Sequence, residues 1–157
     1  MKAIISTTII TLLACLSLQA KERPNIVLIF LDDAAYSDFR PFGNPPYATP
    51  NVERLAAEGV RYTRFHVPQA VCSASRAALL TGCYPHRNRV VNAIAPGTRG
   101  LDPQHPVIAE TLKEHGYATA HFGKWHLGDM PATRPMARGF DHYAGLLVSN
   151  DMWRHNP

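Results

Sequence analysis

The sequence has no low-complexity tract, no internal repeat and no long unbroken apolar run. With an ordinary 46% of apolar and 18% of charged residues, the lack of biased tracts excludes disordered and collagen-like chains. The most apolar stretch, at the N-terminus, is too short and too hydroxylic for a membrane span. Basic residues exceed acidic ones by only four and are scattered, so there is no nucleic-acid footprint. Such an excess suits an anionic substrate or a plain surface balance, and charge alone favours the second. The eight histidines show no zinc spacing of the HExxH kind. Cysteine is nearly absent, with three in 157 residues.

What is present bounds roughly one domain with a real core. Residues 1–20, MKAIISTTIITLLACLSLQA, place Lys2 before an apolar and hydroxylic run with a small-residue end. That is the pattern of a secretory signal peptide cleaved after Ala20, which makes residues 21–157 secreted or periplasmic. The alternative is a lipobox-like LLAC ending at Cys15, where Leu13 fits poorly. Cys72 and Cys83 remain after cleavage. If the segment between them is helical they stand about 16 Å apart, too far for the roughly 7 Å a disulfide spans. Cys72 is then an inert buried thiol, a reactive thiol or the precursor of another group.

Residues 25–31, NIVLIFL, read as a strand buried on both faces and ending in Asp32-Asp33. Thr49 and Pro50 open a helix through NVERLAAEG, with Val52, Leu55 and Ala56 on one face and Gly59 as its stop. Residues 60–67 read as a second strand. Residues 73–81 read as a helix with an Ala77–Leu80 stripe, ended by Gly82 and Pro85. Residues 106–115 read as an amphipathic helix with Ile108, Leu112 and His115 on one side and Gly116 as its cap. Residues 117–122 read as a strand running into the glycine-bounded loop GKWHLG, residues 123–128. Residues 139–157 supply a short strand and loop. Strands alternating with helices predict an α/β layered fold.

Three groups carry candidate chemistry. Asp32 and Asp33 follow a strand end, where open α/β sheets bind ligands, and two adjacent carboxylates repel unless a hard cation neutralises them. A solvated turn is the plainer reading. Cys72 lies at or just before a helix start, where dipole and free N–H groups stabilise a thiolate or a bound oxyanion. Arg76, four residues on, returns to the same side, and its fork suits a tetrahedral anion. The three residues between them exclude the cysteine-phosphatase loop, which has five. Lys124 and His126 flank Trp125, and in extended chain they face one way, pairing a cation with a titratable imidazole. A surface loop is the plainer reading there.

These segments match a known family. CSASRAALLTG, residues 72–82, resembles the sulfatase signature, Cys-x-Pro/Ala-Ser-Arg followed by a helix ending in Thr-Gly. NIVLIFLDDAAYSDF, TPNVERLAAEGVRYTRFHV, GCYPHR, GKWHLG, RGFDHYAG and SND are similar to neighbouring segments of that family, from Arg23 onward. The resemblance implies the N-terminal part of an alkaline-phosphatase-like α/β/α layered sheet and a calcium-dependent sulfuric ester hydrolase. It implies that a maturation enzyme oxidises Cys72 to formylglycine, whose hydrate attacks sulfur and then expels sulfate, an exit that serine lacks. It implies Asp32, Asp33 and the oxidised residue 72 as calcium ligands. Arg76 would hold the formylglycine and Lys124 would bridge it and a sulfate oxygen. His126 would be the base for release, and Ser149 a hydrogen-bonding residue near the nucleophile. The substrate would be a sulfated small molecule or sulfated carbohydrate.

Ala74 stands where proline is commoner, which bears on the maturation step. The remaining family ligands lie further along than Pro157, so the 157 residues are expected to be an incomplete sheet, inactive by themselves. Alternatives are a phosphonate monoester or phosphodiester hydrolase of the same superfamily, and a truncated, non-catalytic sulfatase-like binding protein.

Overall fold

The computed structural model describes residues 23–149. The predicted signal peptide and the end of the SND segment, including Asp151, lie outside the described residues. The chain divides into two units, Met1–Ala34 and Ala35–Pro157.

The described part of the first unit holds the apolar run NIVLIFL. It joins no sheet among the described residues, and Val27 and Ile29 are 82% and 72% exposed. This corrects the expected buried strand. An apolar, β-branched run has the tendency to extend, but a strand exists only through a ladder to a neighbour. Residues 60–67 fail for the same reason: they form no strand, and Val60, Tyr62 and Phe65 are exposed.

The second unit contains α1 (Pro50–Glu58), α2 (Cys72–Thr81), α3 (Pro85–Asn88), α4 (Ile108–Glu114), β1 (Ala120–Phe122) and β2 (His142–Ala144), with short 3-10 turns between them. Helix α1 starts at the expected place, but the Thr49 hydroxyl does not cap it. That oxygen accepts the Arg40 N–H at 3.0 Å, while Glu53 N donates to the Thr49 carbonyl. Its expected apolar face buries nothing, and Leu55 is 60% exposed. Helix α2 is enclosed, with residues 73–78 all buried, Ser73, Ser75 and Arg76 among them. It ends at Gly82, whose left-handed φ of 65° lets the Gly82 N–H reach the Ala78 carbonyl.

Helix α4 is shorter than expected and rotated. Ala109 is its buried residue, while Ile108 and His115 are exposed. The rotation follows from the Arg138–Glu110 pair on its first turn. Arg138 is 1% exposed, and its Nε donates to Glu110 Oε1 at 2.9 Å. Gly139 has φ 82°, and a Cβ there would lie 2.5 Å from the Glu110 nitrogen, so only glycine lets this turn meet α4.

Strands β1 and β2 pair in parallel, with His121 opposite Tyr143. The pairing continues past β1, as Gly123, Trp125 and His126 N–H groups donate to the carbonyls of Ala144, Leu146 and Leu147. Asp141 closes the near end. Its carboxylate accepts Lys113 Nζ at 2.6 Å and Thr119 N at 2.9 Å, and these bonds hold its pKa at about 2. The core lies between α2, α4 and the strand pair: Ala77, Val90, Leu101, Val107, Ala109, Trp125, Leu127 and Phe140. Parallel strands with helices packed against them make this an α/β arrangement.

Candidate active site

Helix α2 presents Cys72 as its first residue, half-buried and free. Cys83 is also free, as the helical separation required. The Ser75 N–H is used by the Val71 carbonyl at 2.8 Å, which closes the first turn around residue 72. One turn along, Arg76 is 8% exposed and its Nη1 donates to the Lys124 carbonyl at 2.7 Å. The guanidinium thus crosses from α2 to the GKWHLG loop.

That loop is not a surface excursion. Trp125, His126 and Leu127 are fully buried, and Trp125 Nε1 donates to the Thr133 carbonyl at 2.8 Å. The simple two-residue alternation expected of Lys124 and His126 does not hold. His126 has φ 55°, a left-handed turn that an extended strand lacks. Its Nε2 lies 3.1 Å from the Ile94 carbonyl. A carbonyl only accepts, so Nε2 carries the hydrogen and Nδ1 is the basic nitrogen of the neutral ring. The N–H of the same Ile94 donates to Ser73 Oγ at 3.0 Å. Residue 94 therefore ties the residue beside Cys72 to the imidazole of His126.

The second unit brings Cys72, Arg76, Lys124 and His126 onto two adjoining segments. Ser149 is 6% exposed, past β2. Asp32 and Asp33 belong to the first unit, both exposed, with Asp33 at φ 55°. An open groove of about 580 Å³ beside Arg40, Glu53 and Arg61 contains none of these residues. Sequence reading missed Ser73 and the Ile94 main chain. The second offers no signal at all, because its contribution is a peptide group and not a side chain.

His121 on β1 was also missed. Burial holds its imidazole below the ordinary value of 6.5, opposed by a hydrogen bond to the Lys124 backbone and reinforced by the Arg76 charge. The sign for stability follows. Above pH 6.5 the ring is neutral in both folded and unfolded states and nothing is lost. As pH falls through 6.5 the unfolded chain binds the proton while the folded one resists, so stability declines until the depressed folded value is passed. Denaturation midpoints measured between about pH 8 and about pH 5 should show this decline, and His121→Phe should flatten it.

The geometry described is that of an α/β fold with the candidate residues of the second unit at a helix start and in the loop beyond a strand. The sulfatase family model matches residues 24–157, and the chain belongs to the sulfatase family, matching its N-terminal portion. It is 44% identical to bovine arylsulfatase A over 146 residues, covering 90% of this chain and 29% of that protein. It is 42% identical to canine N-acetylgalactosamine-6-sulfatase over 135 residues, covering 80% of this chain and 26% of that one. Among solved structures it resembles Ps i-CgsB, with a TM-score of 0.78 and 38% identity over 82% of this chain and 29% of the other. A further structure of Ps i-CgsB is in complex with k-i-k-neocarrahexaose. The chain thus spans under a third of the length of these relatives. Its fold is the alkaline-phosphatase-like α/β fold of that family, represented here by helices and a small parallel sheet.

Proposed function

We propose that the full-length protein carrying this chain hydrolyses sulfate monoesters with residue 72 as nucleophile. The observation that carries this reading is the Arg76–Lys124 bond, which joins the helix bearing Cys72 to the loop bearing Lys124 and His126. Matured to formylglycine by a separate enzyme, residue 72 would supply an aldehyde hydrate, with one hydroxyl to attack sulfur and one to release it. The buried Arg76 holds that residue's oxygens and offsets negative charge. Lys124 binds a sulfate oxygen from the loop. His126, with its hydrogen fixed on Nε2 by Ile94, takes a proton on Nδ1 during release. Ser149 hydrogen-bonds near the nucleophile.

Asp32 and Asp33 fit a hard cation in donor type, since calcium takes carboxylate oxygens. They fill only part of a six- to eight-oxygen shell, and among the described residues no group of three or more His, Cys, Asp or Glu could hold a metal. Asp32 and Asp33 would hold one side of a calcium ion, whose charge would draw electrons from the sulfate oxygens.

The substrate class is a sulfated carbohydrate or a sulfated small molecule. Both the oligosaccharide bound to Ps i-CgsB and the sugar in the name of the canine relative favour the former. We place the protein in the periplasm or outside the cell, from the leader. Among the described residues no helix is long and apolar enough to cross a membrane.

In protein exported by its native host, the peptide bearing residue 72 should have the mass of formylglycine, and an aryl sulfate should turn over faster than an aryl phosphonate. Chelation should stop turnover and added Ca²⁺ restore it. A thiol at residue 72 in fully active enzyme would refute the mechanism. Faster phosphonate cleavage would move the protein to the phosphonate hydrolases.

A further inference from the structure

We propose that Ser73 is a positioning residue for His126, acting through the main chain of residue 94. Ser73 is fully buried beside Cys72 in the first turn of α2, and its Oγ accepts the Ile94 N–H at 3.0 Å. The Ile94 carbonyl accepts the His126 Nε2 hydrogen at 3.1 Å. The two groups flank one Cα, so a single residue joins the helix that carries Cys72 to the imidazole in the loop beyond β1. Being enclosed, Ser73 offers a substrate no contact. It acts by fixing where the ring points.

Between the N–H and the carbonyl of one residue lie two soft dihedrals. Holding the N–H alone would leave the carbonyl free to swing. The chain after residue 94 removes that freedom. The Ala95 carbonyl accepts Thr98 N at 3.3 Å and Thr98 Oγ1 at 2.6 Å, which closes a turn directly past Ile94. Both carboxylate oxygens of Asp129 lie 2.9 Å from the Gly97 nitrogen, and Leu101 N donates to the Leu127 carbonyl at 2.8 Å. Gly100 packs so close that a Cβ there would lie 2.6 Å from that same carbonyl oxygen. Residues 97–101 are thus bound to residues 127–129, just past His126. Ser73 holds the opposite flank of the Ile94 carbonyl. Without its hydroxyl the Ile94 N–H loses its acceptor in an enclosed setting, where an unmade bond costs most. Residue 94 then rearranges, and the imidazole loses its fixed partner.

The effect on rate rests on the sulfatase reading, with His126 as the base for release, so the test has a readout that does not. In full-length protein carrying isotope-labelled histidine, NMR measures how fast the His126 Nε2 hydrogen exchanges with water, its resonance being identified by its loss in His126→Gln. The other readouts are kcat and KM on an aryl sulfate and the unfolding midpoint. Each kcat is divided by the fraction of residue 72 present as formylglycine, read from peptide mass, so that altered maturation does not enter. For Ser73→Ala we expect exchange to quicken about tenfold or more. The kcat should fall about tenfold and KM with it, leaving kcat/KM within about threefold, because the slowed step follows cleavage of the ester. Ser73→Thr, which keeps the hydroxyl, should stay within about threefold of wild type in each. If Ser73→Ala folds poorly, Ser73→Cys, close to serine in size but a weak acceptor, takes its place with the same expectation.

Exchange and kcat both within about twofold of wild type in the variant without the hydroxyl would overturn the positioning role and leave the sulfatase reading intact. Quickened exchange with unchanged kcat would do the same, as would a kcat/KM that falls as far as kcat, which marks a general defect of the site. So would a threonine variant that has the wild-type unfolding midpoint and the alanine behaviour; where the added methyl lowers the midpoint, the alanine result decides alone. Quickened exchange reversed by threonine, in a protein that cleaves no sulfate ester, would support the hold on His126 and sink the sulfatase reading. A wild-type His126 whose Nε2 hydrogen exchanges as fast as that of an exposed histidine would overturn the hold outright.

Discussion

Cys72→Ala in the full-length protein is expected to lower kcat/KM on an aryl sulfate by at least about 10³-fold, or about 4 kcal/mol of transition-state stabilisation. No neighbouring group replaces a missing nucleophile at the start of α2. Arg76 is a cation engaged with the Lys124 carbonyl, and the Ser73 hydroxyl accepts the Ile94 N–H. Cys72→Ser should behave differently. Its hydroxyl can attack sulfur once but has no second hydroxyl to expel sulfate, so the expected trace is a burst of up to one alcohol per enzyme followed by near silence. Unfolding midpoints should stay close to wild type for both, because residue 72 is only half-buried and either replacement is tolerated at a helix start. Multiple turnovers by the serine variant at the wild-type rate would show that the second hydroxyl is dispensable.

Glu110→Leu is expected to cost about 3 kcal/mol of stability, the lower end of the range for stranding one member of a buried pair. Its partner Arg138 has a side chain only 1% exposed, while the carboxylate is 29% exposed, which places the cost at that lower end. The guanidinium also donates to the His105 carbonyl at 2.6 Å, so it cannot swing out to water without breaking that bond. The carboxylate has a second task, accepting the Val107 N–H at 2.7 Å at the start of α4. Replacing both members, Glu110→Leu with Arg138→Met, should cost less than Glu110→Leu alone, because the uncompensated cation is gone. Denaturant titrations of the three variants check this. A double variant worse than the single one would mean that the pair contributes through packing geometry and not through charge compensation.

Local features were legible in the sequence. The end of α2 at Gly82 and the start of α1 at Pro50 follow from the φ preferences of glycine and proline acting within a few residues. The same reasoning placed Arg76 on this helix and Cys72 at or just before its start, and the structure makes Cys72 its first residue. Strand tendency was readable at residues 25–31 and 60–67, but neither run finds a ladder among the described residues. Residues 120–122 became a strand because His142–Ala144 lies beside them in register. The face of α4 was misread because Arg138, twenty-eight residues away, orients it through Glu110.

By itself the sequence determined the family and the helix at whose start Cys72 stands, because these depend on residue types at short spacing. The tertiary structure decided what surrounds them. It turned Lys124-Trp125-His126 from an alternating strand into a buried turn, chose the protonated nitrogen of His126 through the Ile94 carbonyl, and joined Arg76 to the Lys124 carbonyl. The bonds of His126 and Arg76 each join a backbone carbonyl to a side chain. A carbonyl looks the same at every position of a sequence, and only folding selects which one a donor meets.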